Sequence, residues 1–178
     1  AKESSIRNTK PKLLHLFSEP ESRPDGLSAF LKKLGWDTKD VDIVIPEDSP
    51  ESSKYGNDLS NQAAWDSILM DISRGIYTFA FMGTPCDSFT RLRHHPGGQP
   101  PLRTKERPLG LSKSELSNSV WKTLQLGNYF ALQSATAALM CIKREVSFAI
   151  ENPEPWLNDF NVNLWDTPAF VHLSTLPR

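Results

Sequence analysis

Apolar and polar positions along this chain fall into blocks whose spacing predicts its elements. Leu13 to Phe17 (LLHLF) is an apolar run of strand length with one polar member, His15. After the turn-rich stretch SEPESRPDG, Leu27, Phe30, Leu31 and Leu34 recur at steps of three and four. That spacing predicts an amphipathic helix closed by Gly35. A second strand is expected within Trp36 to Ile45, which completes strand, helix and strand in about 30 residues, the size of a βαβ unit. Residues 46–56 (PEDSPESSKYG) read as a surface loop. Asn57 or Ser60 is placed to cap a helix through Ile72, with Ala64, Ile68, Leu69 and Ile72 on one side and Gly75 at its end. Ile76 to Met82 (IYTFAFM) is the strongest strand pattern, uncharged and rich in aromatic and β-branched residues, and is expected at the centre of a sheet.

The pattern then breaks. Residues 83–111 hold Pro96, Gly97, Gly98, Pro100, Pro101, Pro108 and Gly110, interleaved with Arg91, Arg93, Arg103, Lys105 and Arg107. A loop of that length inside a compact domain is either functional or without fixed structure. Ser112 and Glu115 form a capping-box pattern that is expected to open a long helix to about Arg144. Its predicted inward positions are Leu116, Val120, Leu124, Gly127, Ala131, Ala135, Ala138 and Ile142, and the small ones let it lie close against a sheet. Val146 to Ile150 (VSFAI) reads as a buried strand followed at once by Glu151-Asn152-Pro153, and Phe170 to Leu173 is a last strand candidate. Alternating strands and helices predict an α/β protein with a mainly parallel sheet and helices on both faces. The polar residues that follow each strand then collect on the carboxyl edge, where such sheets place their sites. No internal repeat is visible; residues 1–12 are read as an N-terminal extension and 13–178 as a single domain.

Composition narrows the class. A chain of 178 residues, 38% hydrophobic and 23% charged, suits one globular domain with a sizeable core. A net charge of −1 excludes a uniformly basic nucleic-acid coat but not a local basic site. That charge is unevenly spread. Residues 37–71 are acid-rich with only Lys39 and Lys54 as cations, and read as a solvated face. Residues 91–107 carry the five cations named above against Glu106, and read as a phosphate contact or a protein-docking arm. Cys86 and Cys141 make no disulfide framework, and the opening AKESSIRNTKPK lacks the apolar run of a secretory signal, so an intracellular location is expected. Thr123 to Ile142 is uncharged and long enough for a bilayer, but Gln125, Asn128, Gln133, Ser134 and Thr136 fit a core helix better; no membrane insertion is expected.

Two strand ends carry chemistry. Cys86, in the turn Gly83-Thr84-Pro85-Cys86-Asp87-Ser88-Phe89, reads either as a nucleophile facing a cleft or as a small buried apolar residue. The turn alone favours the buried apolar reading, and Glu151-Asn152-Pro153 shifts the balance toward the nucleophile, because a carboxylate at the end of a core strand is costly unless it is paired or used. Together they describe a Cys/Glu site on neighbouring strands. His94-His95 lacks a second Cys/His pair to complete a tetrahedral metal set, so no metal is expected. His15 and His172 read as satisfied core histidines, and Trp121, Trp156 and Trp165 fit core, interface or base-stacking roles equally.

Taken in order, these motifs resemble those of the DNA cytosine-5 methyltransferase family, in the variant found in mobile elements and protist genomes. The resemblance runs from Leu13 to Pro153 and rests on Leu16-Phe17-Ser18, Arg23-Pro24-Asp25-Gly26, Asn57-Asp58-Leu59, Pro85-Cys86 with Ser88-Phe89, and Glu151-Asn152. It implies a Rossmann-like fold that uses S-adenosylmethionine, held by Phe17, Ser18, Asp42 (with Asp40 the rival), Asp58, Leu59 and Pro85. It implies that the Cys86 thiolate adds to carbon 6 of a flipped cytosine, that Glu151 donates to ring nitrogen 3, and that Asn152 holds the backbone around the carboxylate. Arg91 and Arg93 would then hold phosphates of the DNA partner, in the nucleus if DNA is the substrate. Three features depart from the family. Glu19-Pro20-Glu21-Ser22 stands where its first motif is glycine-rich, the Gln-x-Arg-x-Arg motif has no match in place, and Arg178 leaves no room for its target-recognition domain. The alternative is therefore a catalytically inactive methyltransferase-fold domain that serves as a structural or binding subunit, with a partner chain supplying recognition.

Overall fold

Four strands, β1 (Lys12–Leu16), β2 (Asp37–Val41), β3 (Phe79–Gly83) and β4 (Ser147–Glu151), pair in parallel in the order β2-β1-β3-β4. The structure is a computed structural model and describes residues 10–18, 24–43, 58–89, 97, 100–153 and 162–176. β3 lies between two partners, as its uncharged aromatic pattern predicts. Side chains alternate between faces, so Leu14, Ala80 and Phe148 form one cross-sheet row, and Leu16, Met82 and Ile150 the next. Both rows belong to the main core, with Trp65, Ile68 and Ile72 of α2 (Gln62–Ser73) and Phe130, Ala137, Ala138 and Cys141 of α3 (Asn118–Lys143). The other face carries His15, Asp40 and Phe81, and α1 (Leu27–Lys33) is tied to it by a 2.9 Å hydrogen bond between Ser28 Oγ and His15 Nδ1. This is an α/β protein with an all-parallel sheet and helices on both faces. The chain winds from β1 outward to β2, then returns past β1 to β3 and β4. The strand order therefore reverses between β1 and β3, the place where open α/β sheets form a crevice at their carboxyl ends.

The helix ends show which local signals decided the fold. Gly35 and Gly75 close α1 and α2 with φ of 85° and 67°, a conformation that favours glycine. The cap of α2 is Asn61, not Ser60: Asn61 Oδ1 accepts the Ala63 N–H at 3.0 Å, whereas Ser60 is taken up by Asp58. Asn57, the other expected cap, lies outside the described residues. The Ser112/Glu115 capping box is present, but it opens a 3-10 turn at Lys113–Glu115. Leu116 is extended there, and α3 starts afresh at Asn118 with Ser117 as its cap.

Along α3, Leu124, Gly127, Ala131, Ala135 and Ala138 are buried as the spacing predicts, whereas Ile142 is exposed. Phe130, Ala137 and Cys141 are buried as well, because α2 and the C-terminal α4 (Pro168–Ser174) both pack on this helix and widen its covered face. Its polar residues serve the interior: Gln133 donates to Gln62 Oε1 at 2.9 Å, and Ser134 accepts from Thr84 Oγ1 at 2.9 Å. Among the described residues no helix is long and apolar enough to cross a membrane.

The expected strand at Phe170 to Leu173 is instead α4. A four-residue apolar run fits either element, and Pro168 at the first helical position after Thr167 decides for helix. His172 consequently lies exposed on α4 and is not a core histidine. His15 does fit that description, with its hydrogen bond to Ser28 and an edge-on contact with Phe81. Trp165 is partly exposed against Phe170, Trp121 is half-buried beneath Lys113, and Trp156 lies outside the described residues.

Candidate active site

The carboxyl ends of β3 and β4 meet in register, Met82 opposite Ile150 and Gly83 opposite Glu151. From Gly83 the chain leaves the sheet as Thr84-Pro85-Cys86. Thr84 is buried and pinned to α3 through Ser134, and the Phe89 N–H donates to the Cys86 carbonyl at 2.7 Å to close the turn. Cys86 is half-buried and free, while Cys141 is free and buried in the core. Burial pushes the Cys86 thiol up from its ordinary value, and the negative charges of Asp87 and Glu151 push it further the same way. The Glu151 charge thus reaches Cys86 at one edge of the sheet, but Glu151 itself is exposed, so it is not the buried strand-end carboxylate that the sequence predicts. Asn152 is half-buried, and its Nδ2 donates to the Pro153 carbonyl at 3.2 Å, which steadies the backbone just beyond Glu151. The Asn152 Oδ1 is buried and accepts no hydrogen bond among the described residues.

The end of β1 lies beside this edge, with the Phe17 carbonyl 3.5 Å from where a Cβ on Gly83 would sit. Phe17 has a left-handed φ of 57°, unusual for an aromatic residue, and such strain gathers at functional sites. Two constraints hold it. Its N–H donates to the Val41 carbonyl at 2.8 Å, and its ring packs on Trp65 and Phe130. Ser18 is buried next to it.

Beyond β2, the backbones of Asp42 and Asp58 pair through a single parallel bridge at the carboxyl edge. Burial pushes the Asp42 carboxyl up, partly offset by the Ile43 N–H donating to its Oδ1 at 2.7 Å. Asp58 is occupied by the Ser60 N–H and hydroxyl. Leu59 is fully buried, and its carbonyl accepts the Trp65 indole N–H at 2.8 Å, so its side chain belongs to the core.

Asp40, the rival acid, sits within β2 on the face that carries His15, bonded to Ser28 and Thr38 and near Lys32. Burial works against its charge, but the hydrogen bonds of His15 and Ser28 and the cations nearby prevail and hold its carboxyl below the usual value. Asp42, not Asp40, is thus the acid at the edge. Arg91, Arg93, His94, His95 and residues 19–23 lie outside the described residues. Among the described residues no three His, Cys, Asp or Glu side chains gather as a metal site.

One residue at this site carries no distinguishing mark in the sequence. Arg103 belongs there to a basic loop that reads as a phosphate contact or docking arm, yet it is only 3% exposed. Its guanidinium donates to Ser88 Oγ at 2.8 Å, Asn128 Oδ1 at 2.7 Å and the Pro108 carbonyl at 2.6 Å, and stacks 3.8 Å from the Phe89 ring centre. Gly127 makes room for it: a Cβ there would lie 2.8 Å from Ser88 Oγ and 3.4 Å from Arg103 Nη2. Arg107 is likewise engaged, paired with Glu115 at 2.8 Å. The only sequence trace of this arrangement is a glycine amid the alanines of a long helix.

No family model matches the chain, and searches of curated proteins and of solved structures return no match. The α/β class rests on the strand pairing itself.

Proposed function

We propose that this chain is a Rossmann-like methyltransferase domain of the DNA cytosine-5 type, with Cys86 as nucleophile and Glu151 as proton donor. The observation that carries the reading is the register of β3 and β4, which aligns Gly83 with Glu151 and leaves the Cys86 turn within reach of that carboxylate's charge. The donor set suits S-adenosylmethionine in its chemistry. Asp42 at the edge is an acceptor for ribose hydroxyls, while Phe17 and Ser18 directly follow β1 and Pro85 follows β3 at the same edge of the sheet. When bound, that cofactor supplies an electrophilic methyl group.

The chain's own groups do the rest. The Cys86 thiolate forms a bond to carbon 6 of cytosine while protonated Glu151 donates to nitrogen 3, which draws off the developing negative charge. Carbon 5 becomes nucleophilic and accepts the methyl group. Loss of the carbon 5 proton to a solvent base then breaks the carbon–sulfur bond, and nitrogen 3 returns its proton to the Glu151 carboxylate.

A second reading has its own observation. A thiol raised by burial and two carboxylates is the reverse of an activated cysteine, as an inactive binding subunit of a larger assembly would tolerate. Calorimetry with S-adenosylmethionine, with Asp42→Ala as control, and methyl transfer to duplex DNA, with Cys86→Ala as control, separate the two. The enzyme reading expects binding lost in the first control and transfer lost in the second. Absence of both in the wild-type chain leaves the binding subunit.

A further inference from the structure

We propose that Arg103 is the positioning residue of the Cys86 turn, fixing the thiol against Glu151 by gripping the turn's last two residues and riveting them to α3. The inference rests on the reading of Cys86 as the reacting group, and its test does not depend on methyl transfer. Taking a guanidinium out of water costs several kcal/mol unless its donors are used, so an arginine 3% exposed needs a structural reason. Here the planar fork is used in several directions at once. Nη2 donates to Ser88 Oγ at 2.8 Å, Nη1 donates to Asn128 Oδ1 of α3 and to the Pro108 carbonyl, and the flat face covers the Phe89 ring. Ser88 and Phe89 directly follow Asp87, and the Phe89 N–H closes the turn on the Cys86 carbonyl. The other arm of the turn is already fixed through Thr84 and Ser134. Both arms are thereby anchored on α3, and only Pro85, Cys86 and Asp87 lie between the anchors. A lysine, with one ammonium and no flat face, cannot replace this grip. Gly127 fits the same account, since any side chain there would enter the Ser88–Arg103 contact.

The experiment tracks alkylation of Cys86 by iodoacetamide, resolved by peptide mass spectrometry, with buried Cys141 as the internal reference for global opening. Losing one charged hydrogen bond populates the open turn about tenfold more. Arg103→Ala is therefore expected to raise the Cys86 rate about tenfold while Cys141 stays protected. Its pH midpoint should fall toward the ordinary thiol value as the opened turn exposes the thiol and carries it away from Glu151. Millimolar guanidinium should restore the wild-type rate, Arg103→Lys should behave like Arg103→Ala, and Arg107→Ala should behave like wild type. If Arg103→Ala does not fold, Ser88→Ala carries the test, with the same direction expected. Wild-type Cys86 rates and midpoint in whichever variant folds, alongside a lowered melting temperature, would show Arg103 to be structural only and overturn the proposal.

Discussion

Replacing Gly127 by alanine tests the packing behind the Cys86 turn, because two effects of opposite sign meet there. Gly127 lies inside α3, where alanine is favoured over glycine by about 1 kcal/mol of helix propensity. The new Cβ would stand 2.8 Å from Ser88 Oγ, closer than real contacts allow. The Ser88 hydroxyl must rotate away and abandon Arg103 Nη2, now 2.8 Å distant, and a hydrogen bond from a charged donor is worth about 1.5–3 kcal/mol. The loss exceeds the gain, so Gly127→Ala is expected to destabilise by about 0.5–2 kcal/mol, a fall of about 2–6 °C in melting temperature for a chain of this size. The sign should invert in a Ser88→Ala background. There the offending oxygen is gone, leaving Arg103 Nη2 at 3.4 Å and the residue 88 Cβ at 3.8 Å, so the propensity gain should emerge. Urea titration of the four proteins closes the double-mutant cycle. A Gly127→Ala single variant more stable than wild type, or no inversion in the double variant, would refute the reasoning.

Other expectations rest on single residues. Glu145 has a φ of 56° at the end of α3, where the Val146 N–H reaches the Cys141 carbonyl and the Glu145 N–H the Ile142 carbonyl, a Schellman arrangement that favours glycine. Exposed Glu145→Gly should therefore raise stability by about 1 kcal/mol, read as a higher urea midpoint. Burial pushes the Cys141 thiol up from 9.0 to about 11, so its stabilising contribution is complete below pH 9 and lost as pH rises through 11. That loss is on the order of 3 kcal/mol; Cys141→Ala should remove its part of this alkaline limb in a urea-unfolding pH series, leaving the part due to Tyr77, which burial and Asp71 also raise. Glu151→Gln removes a negative charge that opposes the Cys86 thiolate, so the pH midpoint of Cys86 alkylation should fall; an unchanged midpoint would separate the two residues.

How much of the fold and site was legible in the sequence depended on the length over which each signal acts. Strands and glycine-closed helices are local, and the β1, α1, β3 and β4 patterns lie within a few residues of the observed elements. Phe170 to Leu173 failed because a four-residue run carries no period, and the deciding Pro168 stood just outside it. The capping box at Ser112 was real, yet the conformation of the next residues is set by tertiary packing: extended Leu116 lets Ser117 start the helix again. Cys86 and Glu151 were readable as strand-end residues, because parallel strands align their ends without further information. Asp40 and Asp42 differ by two positions and share a strand face pattern; only the end of β2 at Val41 separated the edge acid from the one beneath α1. Arg103 was illegible for another reason. A charge in a proline-rich loop reads as solvated, and its burial depends on Gly127, Asn128 and Ser88 converging from distant parts of the chain.

The central claim is that Cys86 attacks a cytosine ring, and covalent trapping addresses it directly. The protein is incubated with S-adenosylmethionine and duplex DNA carrying 5-fluorocytosine, whose carbon 5 has no proton to lose, so elimination of the thiolate is blocked. The expected result is a denaturation-resistant protein–DNA adduct mapped to Cys86, absent in Cys86→Ala and strongly reduced in Glu151→Gln. A wild-type protein that binds the cofactor and the DNA yet gives no adduct, or an adduct that persists in Cys86→Ala, would contradict it.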